Sequence, residues 1–241
     1  MTRTVAIEQP NYIPWIGYFD LIRQSDIWVW YDDVQYTKRD WRNRNLVALE
    51  DERIWITIPV KTKGRYAQAI REVEIDYSQP WRRRHVETVR RCYSRAPFFT
   101  TVVALIEEAL EPKPNLLADL TIGMNEAICA RLGFGPHFVR SSMLPSMGAD
   151  RVERLIEICR GFESTTYLSG PSARAYIDPR VFARAGIELR YIVYDYPEYA
   201  RGAHAFVRNL SIIDALAWLG PSNTAAFLDA HGRSEREEIA C

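Results

Sequence analysis

Apolar positions change their period repeatedly along this chain, and the changes divide it into short alternating elements. Val5-Ala6-Ile7 is a brief apolar run that stops at Gln9-Pro10-Asn11-Tyr12-Ile13-Pro14, where two prolines exclude the interior of a helix or a strand. Trp15, Ile16, Tyr18, Phe19, Leu21 and Ile22 then fall at the spacing of a buried helix, with Pro14 in the favoured first-turn place. Ile27 to Tyr31 is aromatic and β-branched throughout, the composition of a buried strand. Strand, loop, helix and strand in such short compass make a βαβ unit with a right-handed crossover. Loop 9–13 and the strand end at 32–35 therefore open on the same edge.

The later pattern alternates in the same way. Leu46–Leu49 and Ile54–Ile58, separated by four charged residues, predict a β-hairpin, and Ile70–Ile75 alternates as a half-buried strand does. Helical patterns cover 81–93, 102–110 and 116–132, the last with Asn125 inside it as a polar candidate for the site. Residues 138–140 predict a short strand, and 150–160 a helix with Asp150 as N-cap and Gly161 past its end. A strand at 165–168 runs into the small-residue turn Ser169-Gly170-Pro171-Ser172. Short helices at 173–176 and 179–185 and a strand at 189–194 follow. The expected fold is α/β: a mostly parallel, Rossmann-like sheet of βαβ units, with an inserted β-hairpin and a helical segment at about 81–132. One domain should span 1–233, and the polar tail 234–241 should fray.

Composition narrows the partners. Lys plus Arg and Asp plus Glu balance at 31 each, so no global field favours nucleic acid or an anionic membrane. No apolar run is long enough to span a bilayer, and the N-terminus does not read as a signal peptide. Cys92, Cys129, Cys159 and Cys241 form no C-x-x-C pair, which fits free thiols in a cytoplasmic protein. The four histidines fall in no ligand spacing with them, so no zinc site is expected. No motif names a cofactor.

The densest chemistry lies from Ile27 to Asn45. A buried strand there delivers Asp32 and Asp33, then Gln35, Lys38, Arg39, Asp40, Arg42, Asn43, Arg44 and Asn45, to one sheet edge. Ligands of open α/β sheets bind beyond the carboxyl ends of strands, so Gln9, Asn11 and Tyr12 group with this cluster. Successive strand residues point to opposite faces, so both aspartates reach one site only if the strand has ended or bulged. One is expected to act in the site and the other to pair with Arg39 or Arg44; a salt-bridge network holding the loop is the structural alternative. The basic loop Lys61–Arg65 is either a phosphate cradle or a solvated turn. Arginines near Cys92 in sequence would lower its thiol pKa, against the inert buried thiol that is the commoner case.

The runs at 6–19 (A-I-x-Q-P-x-Y-x-P-W-x-G-Y-F), 31–45 (Y-D-D-V-Q-Y-x-K-R-x-W-x-N-R-N), 167–172 (Y-L-S-G-P-S) and 210–216 (L-S-I-I-D-A-L) resemble the WbqC-like family. Asn11 departs from the family, which usually has an aromatic residue or His there. Arg201 stands two residues after Tyr199, where the family pattern leads one to expect Gln. The resemblance implies a place in glycoconjugate, polysaccharide or natural-product assembly. The reading it supports is a transferase moving an acyl or aminoacyl group onto an amine of an activated amino sugar or similar small molecule. In that reading an Asp, 32 or 33, is general base, Lys38 and Arg39 bind phosphate, and Gln9 or Asn43 steadies the oxyanion. Asn11, Tyr12, Gln35, Arg44, Asn45, Ser169 and Gly170 complete the expected substrate contacts. The substrate is a small molecule, phosphorylated or nucleotide-linked; neither nucleic acid nor membrane is an expected partner. Alternatives are a nucleotidyltransferase without an H-x-G-H motif, and a non-catalytic sugar- or nucleotide-binding partner of a biosynthetic complex.

Overall fold

The computed structural model describes residues 3–145 and 150–237. In chain order, β1 (Thr4–Glu8), α1 (Ile16–Arg23) and β2 (Ile27–Trp30) form the predicted first unit, followed by the hairpin β3 (Arg44–Leu49) and β4 (Glu52–Thr57). Three helices come next: α2 (Trp81–Tyr93), α3 (Phe99–Leu110) and α4 (Leu117–Leu132). The chain then returns to the sheet through β5 (His137–Arg140), α5 (Arg151–Gly161), β6 (Thr166–Ser169), α6 (Pro179–Arg184) and β7 (Glu188–Val193). It closes with α7 (Ile212–His231) and β8 (Arg233–Arg236).

The main sheet runs β5-β2-β1-β6-β7-β8, parallel except for β8. From β1 the chain moves outward through β2 to β5, then returns to the other side of β1 to lay down β6 and β7. Counted within this sheet alone, that is the 3-2-1-4-5-6 order of dinucleotide-binding folds, with its switch point between β1 and β6. Strand alternation divides the core into two layers. Ala6, Trp28, Trp30, Leu168 and Ile192 face α1, α7 and the three-helix insert. Val5, Ile7, Ile27, Val29, Tyr167, Leu189 and Tyr191 face α5 and α6. No helix among the described residues is long and apolar enough to cross a membrane.

Two expectations fail. Residues 70–75 make no strand: Ile70–Glu72 is a 3-10 turn. Its backbone donors go to the chain leaving β2, Ile70 N to Val34 O and Arg71 N to Asp32 O. Ile70 and Val73 are buried at a spacing of three, which the alternation read from sequence concealed. The polar segment from Ser234 does not fray before residue 237. Arg233–Arg236 pairs antiparallel with β7, and Arg174 bonds Glu235 and Glu237. Polar residues suffice on an edge strand; residues 238–241 lie outside the described ones.

His85 of α2 is buried. Its Nε2 lies 3.1 Å from Thr57 O and its Nδ1 2.8 Å from the Tyr12 hydroxyl. A carbonyl only accepts, so Nε2 carries the proton and Nδ1 accepts from Tyr12. Burial therefore depresses the imidazole to about 4. Its neutral form contributes stability that is present above the unfolded value near 6.5 and lost as pH falls from there toward 4. Urea titrations at pH 7.5 and 4.5 should differ by about 2.5 kcal/mol more in the wild type than in His85→Gln; equal pH dependence would refute this.

Candidate functional site

The loop between β1 and α1 has almost no hydrogen bonds of its own. It is held by the segment 41–45 and by α4. Tyr12 N donates to Trp41 O at 2.9 Å, and Asn45 Nδ2 donates to both Tyr12 O and Ile13 O at 3.0 Å. Ile13 has φ of 35°, a strained value for a β-branched residue. Asn125, buried in α4, donates to Asn11 O at 2.9 Å. Arg42 spans two side chains of the loop, Nε to Gln9 Oε1 and Nη1 to Asn11 Oδ1, both at 2.5 Å.

This clamp sets the chain around Glu8, the last residue of the central strand. Ala6 is level with Leu168, so Glu8 stands beside Gly170 at the switch point. A Cβ on Gly170 would sit 3.7 Å from Glu8 Oε1 and 3.4 Å from the Tyr194 hydroxyl, which places both groups beside this turn. Burial pushes the Glu8 carboxyl up, against the pull of Arg42, the Gln9 N–H and Arg151. The Tyr194 hydroxyl is likewise pushed up by burial and then by Glu8. Arg151, in the first turn of α5, lies 3.6 Å over the Tyr176 ring. A carboxyl pushed up by burial thus stands at the ligand edge of the sheet, within the field of Arg42 and Arg151.

The two aspartates do converge, because β2 has ended at Trp30, but they converge on serines. Ser141 Oγ lies 2.5 Å from Asp33 Oδ1 and 3.2 Å from Asp32 Oδ1. Asp32 is fully buried, and it accepts from Ser142 N and Ser142 Oγ at 3.0 Å each. Asp33 pairs with Arg154 of α5, and neither Arg39 nor Arg44 reaches it. Arg44 lies 4.1 Å over Trp55 and bonds the Arg39 carbonyl. Lys38 and Arg39 are exposed, and Gln35 donates to Tyr66 O. Asn43 is buried and donates to Ile58 O, while Tyr12 and Asn45 are buried in the clamp. Of the expected residues, the structure brings Gln9, Asn11 and Gly170 to the Glu8 cluster, with Ser169 buried beside Gly170.

Glu8, Arg42, Arg151 and Tyr194 were not singled out as site residues by sequence reasoning. A carboxylate closing an apolar run one residue before Gln9 was a usable signal for Glu8. Nothing local marks Arg151 or Tyr194, which reach the site only through the strand order. Lys61 and Arg65 both pair with Glu74, which offsets the charge of the basic loop. Burial raises the Cys92 thiol to about 11, so it is protonated and inert. Among the described residues no group of His, Cys, Asp and Glu is placed to hold a metal ion.

Two cavities adjoin at Trp15 and Asn209. One, of about 290 Å³, is lined largely by aromatic rings, including Tyr194 and Tyr199; the other, of about 310 Å³, is bounded by Asn11, Trp41 and Arg53. Arg201, the departure near the C-terminus, is buried behind the first. It pairs with buried Asp214 at 3.1 Å and fixes the segment that carries Tyr199.

A sheet in dinucleotide-binding order, with Glu8 at its switch point and cavities alongside, defines an α/β protein with a candidate ligand site at the sheet edge. The chain belongs to the WbqC-like protein family, which it matches over residues 9–226. It is 40% identical over 220 residues to the uncharacterized protein Rv1507c of Mycobacterium tuberculosis, covering 90% of this chain and 94% of that protein. No solved structure matches it.

Structural and reactive carboxylates should separate by stability. Asp32→Ala strands the Ser142 donors and should cost about 2–4 kcal/mol in urea unfolding. Glu8→Gln removes a half-buried carboxyl that folding makes harder to ionise. It should leave the neutral-pH melting temperature unchanged or higher; a large loss would make Glu8 structural.

Proposed function

We propose that this protein is a transferase of glycoconjugate or natural-product assembly. It moves an acyl or aminoacyl group onto an amine of an activated amino sugar or a similar small molecule. The observation that carries the reading is the place of the Glu8 carboxyl at the switch point beside Gly170 and the Tyr194 hydroxyl, where burial also pushes it up; it takes the general-base role that the sequence assigned to Asp32 or Asp33. The amine nitrogen attacks the acyl carbonyl carbon, forming an N–C bond as the bond to the leaving group breaks. The proton shed by nitrogen passes to Glu8 and from there to the leaving group. Arg42 holds Gln9 Oε1, which turns the Gln9 amide N–H groups outward as donors to the developing oxyanion. Arg151 supplies positive charge for a phosphorylated or nucleotide-linked substrate, while Arg42, 3.6 Å from Asp40, orients Gln9.

The strand order also favours a second reading, nucleotidyl transfer, because this sheet order commonly holds nucleotides at the same place. A thermal-shift screen against nucleotide sugars, free nucleotides and acyl thioesters, with and without magnesium, separates the two. The transferase reading expects a shift with a nucleotide amino sugar. Glu8→Gln should keep that shift while acyl transfer falls by about 10²-fold or more. A shift only with ATP or CTP plus magnesium would favour nucleotidyl transfer. No shift with any of them would favour a non-catalytic binding partner.

A further inference from the structure

The aromatic cavity has walls of unusual chemistry. Three tyrosines line it, and two of their hydroxyls are engaged elsewhere. Tyr196 donates to buried Asp20 at 2.7 Å and Tyr199 to buried Asp214 at 2.8 Å. The Tyr194 hydroxyl lies on the Gly170 and Glu8 side of its ring. Ser211, also on the wall, accepts from Ile213 N as the cap of α7. Trp15, Phe206 and Phe227 add carbon surface, and Arg208 is paired with Glu198 and 65% exposed. The cavity wall is therefore mainly ring and aliphatic carbon, with the polar side chains Arg208 and Asn209 at its exposed side. A nucleobase or sugar placed there would lose water from its polar edges with little in return.

Tyr194 joins this cavity to the reactive cluster. Its ring forms part of the wall, and its hydroxyl lies 3.4 Å from where a Gly170 Cβ would be, beside the Glu8 carboxyl. Gly17 allows this approach: a Cβ there would come within 2.6 Å of Trp15 and 2.8 Å of Tyr194.

Resting on the transferase reading above, we propose that the cavity is the subsite for the hydrocarbon part of the acyl group that is transferred. At about 290 Å³ it is roughly twice the apolar space of about 150 Å³ that holds benzene, so it takes a chain of about ten carbons or fewer. The carbonyl end then lies toward Tyr194, Gly170 and Glu8, where the incoming amine meets it.

The test is calorimetric binding of S-acyl-N-acetylcysteamine thioesters with saturated chains of two to twelve carbons. Affinity should rise about threefold to fourfold per added CH₂ and level off near ten carbons. Val207 lines the cavity from a partly exposed loop. Val207→Trp should flatten the length dependence, and Val207→Ala, which enlarges the space, should move the plateau to longer chains. Should the tryptophan variant fail to fold, the alanine variant decides. Affinity independent of chain length, or a plateau that Val207→Ala leaves in place, overturns the assignment. So does adenosine or uridine binding that Val207→Trp abolishes. Glu8→Gln distinguishes the two readings. Length dependence kept by Glu8→Gln, with transfer lost, supports both. Length dependence with transfer unaffected by Glu8→Gln sinks the Glu8 chemistry and leaves the cavity assignment standing.

Discussion

The arrangement depends on a loop that cannot hold itself. Gln9 to Trp15 contains two prolines and a strained Ile13, so its backbone groups need partners from elsewhere. Asn45 supplies two donors to its carbonyls, Trp41 accepts from Tyr12, and Asn125 reaches Asn11 from α4. Leaving one such buried carbonyl unpaired costs about 1–3 kcal/mol. The clamp therefore defines the loop conformation and, through Arg42, the direction of Gln9 and Asn11. The two longest motifs of the chain, at 6–19 and 31–45, are the two halves of this one construction.

The carboxylates divide by their partners. Asp32 is met by serine hydroxyls and a backbone N–H, and Asp33 by Arg154 and Ser141; they fasten the end of β2 to the turn after β5 and to α5. Asp20 and Asp214 hold tyrosines on the segment after β7 and are themselves paired with arginines. Glu8 shares with Asp214 a carboxyl that burial pushes up against nearby arginines, but Asp214 is closed off by Arg201 and Tyr199 while Glu8 stands at the ligand edge of the sheet. A carboxyl pushed up by burial at a ligand edge is a candidate for proton transfer.

Those tyrosine–aspartate bonds also shape the neighbouring cavity. By turning hydroxyls toward buried carboxylates, they leave ring carbon facing the open space. Gly220 (φ 79°) serves the same side of the molecule. It kinks α7 ahead of Pro221, and Phe98 packs where its Cβ would be. Rigid rings over a packed core give a preformed pocket, which lowers the ordering cost of binding.

Periodicity determined most of the element order. The βαβ start, the hairpin, the three-helix insert, the Asp150 cap and the strands at both ends of α5 were all legible, because burial on a sheet face or helix stripe marks sequence locally. The edge strand β8 was not, since polar residues satisfy an edge as well as a tail. The site was legible in outline only. Gln9, Asn11 and Gly170 followed from the rule that ligands lie beyond strand ends. The convergence of Asp32 and Asp33 on Ser141, and of Arg151 and Tyr194 on Glu8, links residues more than a hundred positions apart. Such pairings leave no local period. They are decided by which strands lie side by side, and so only the tertiary structure could turn the obvious aspartates into fasteners and an unremarked glutamate into the candidate base.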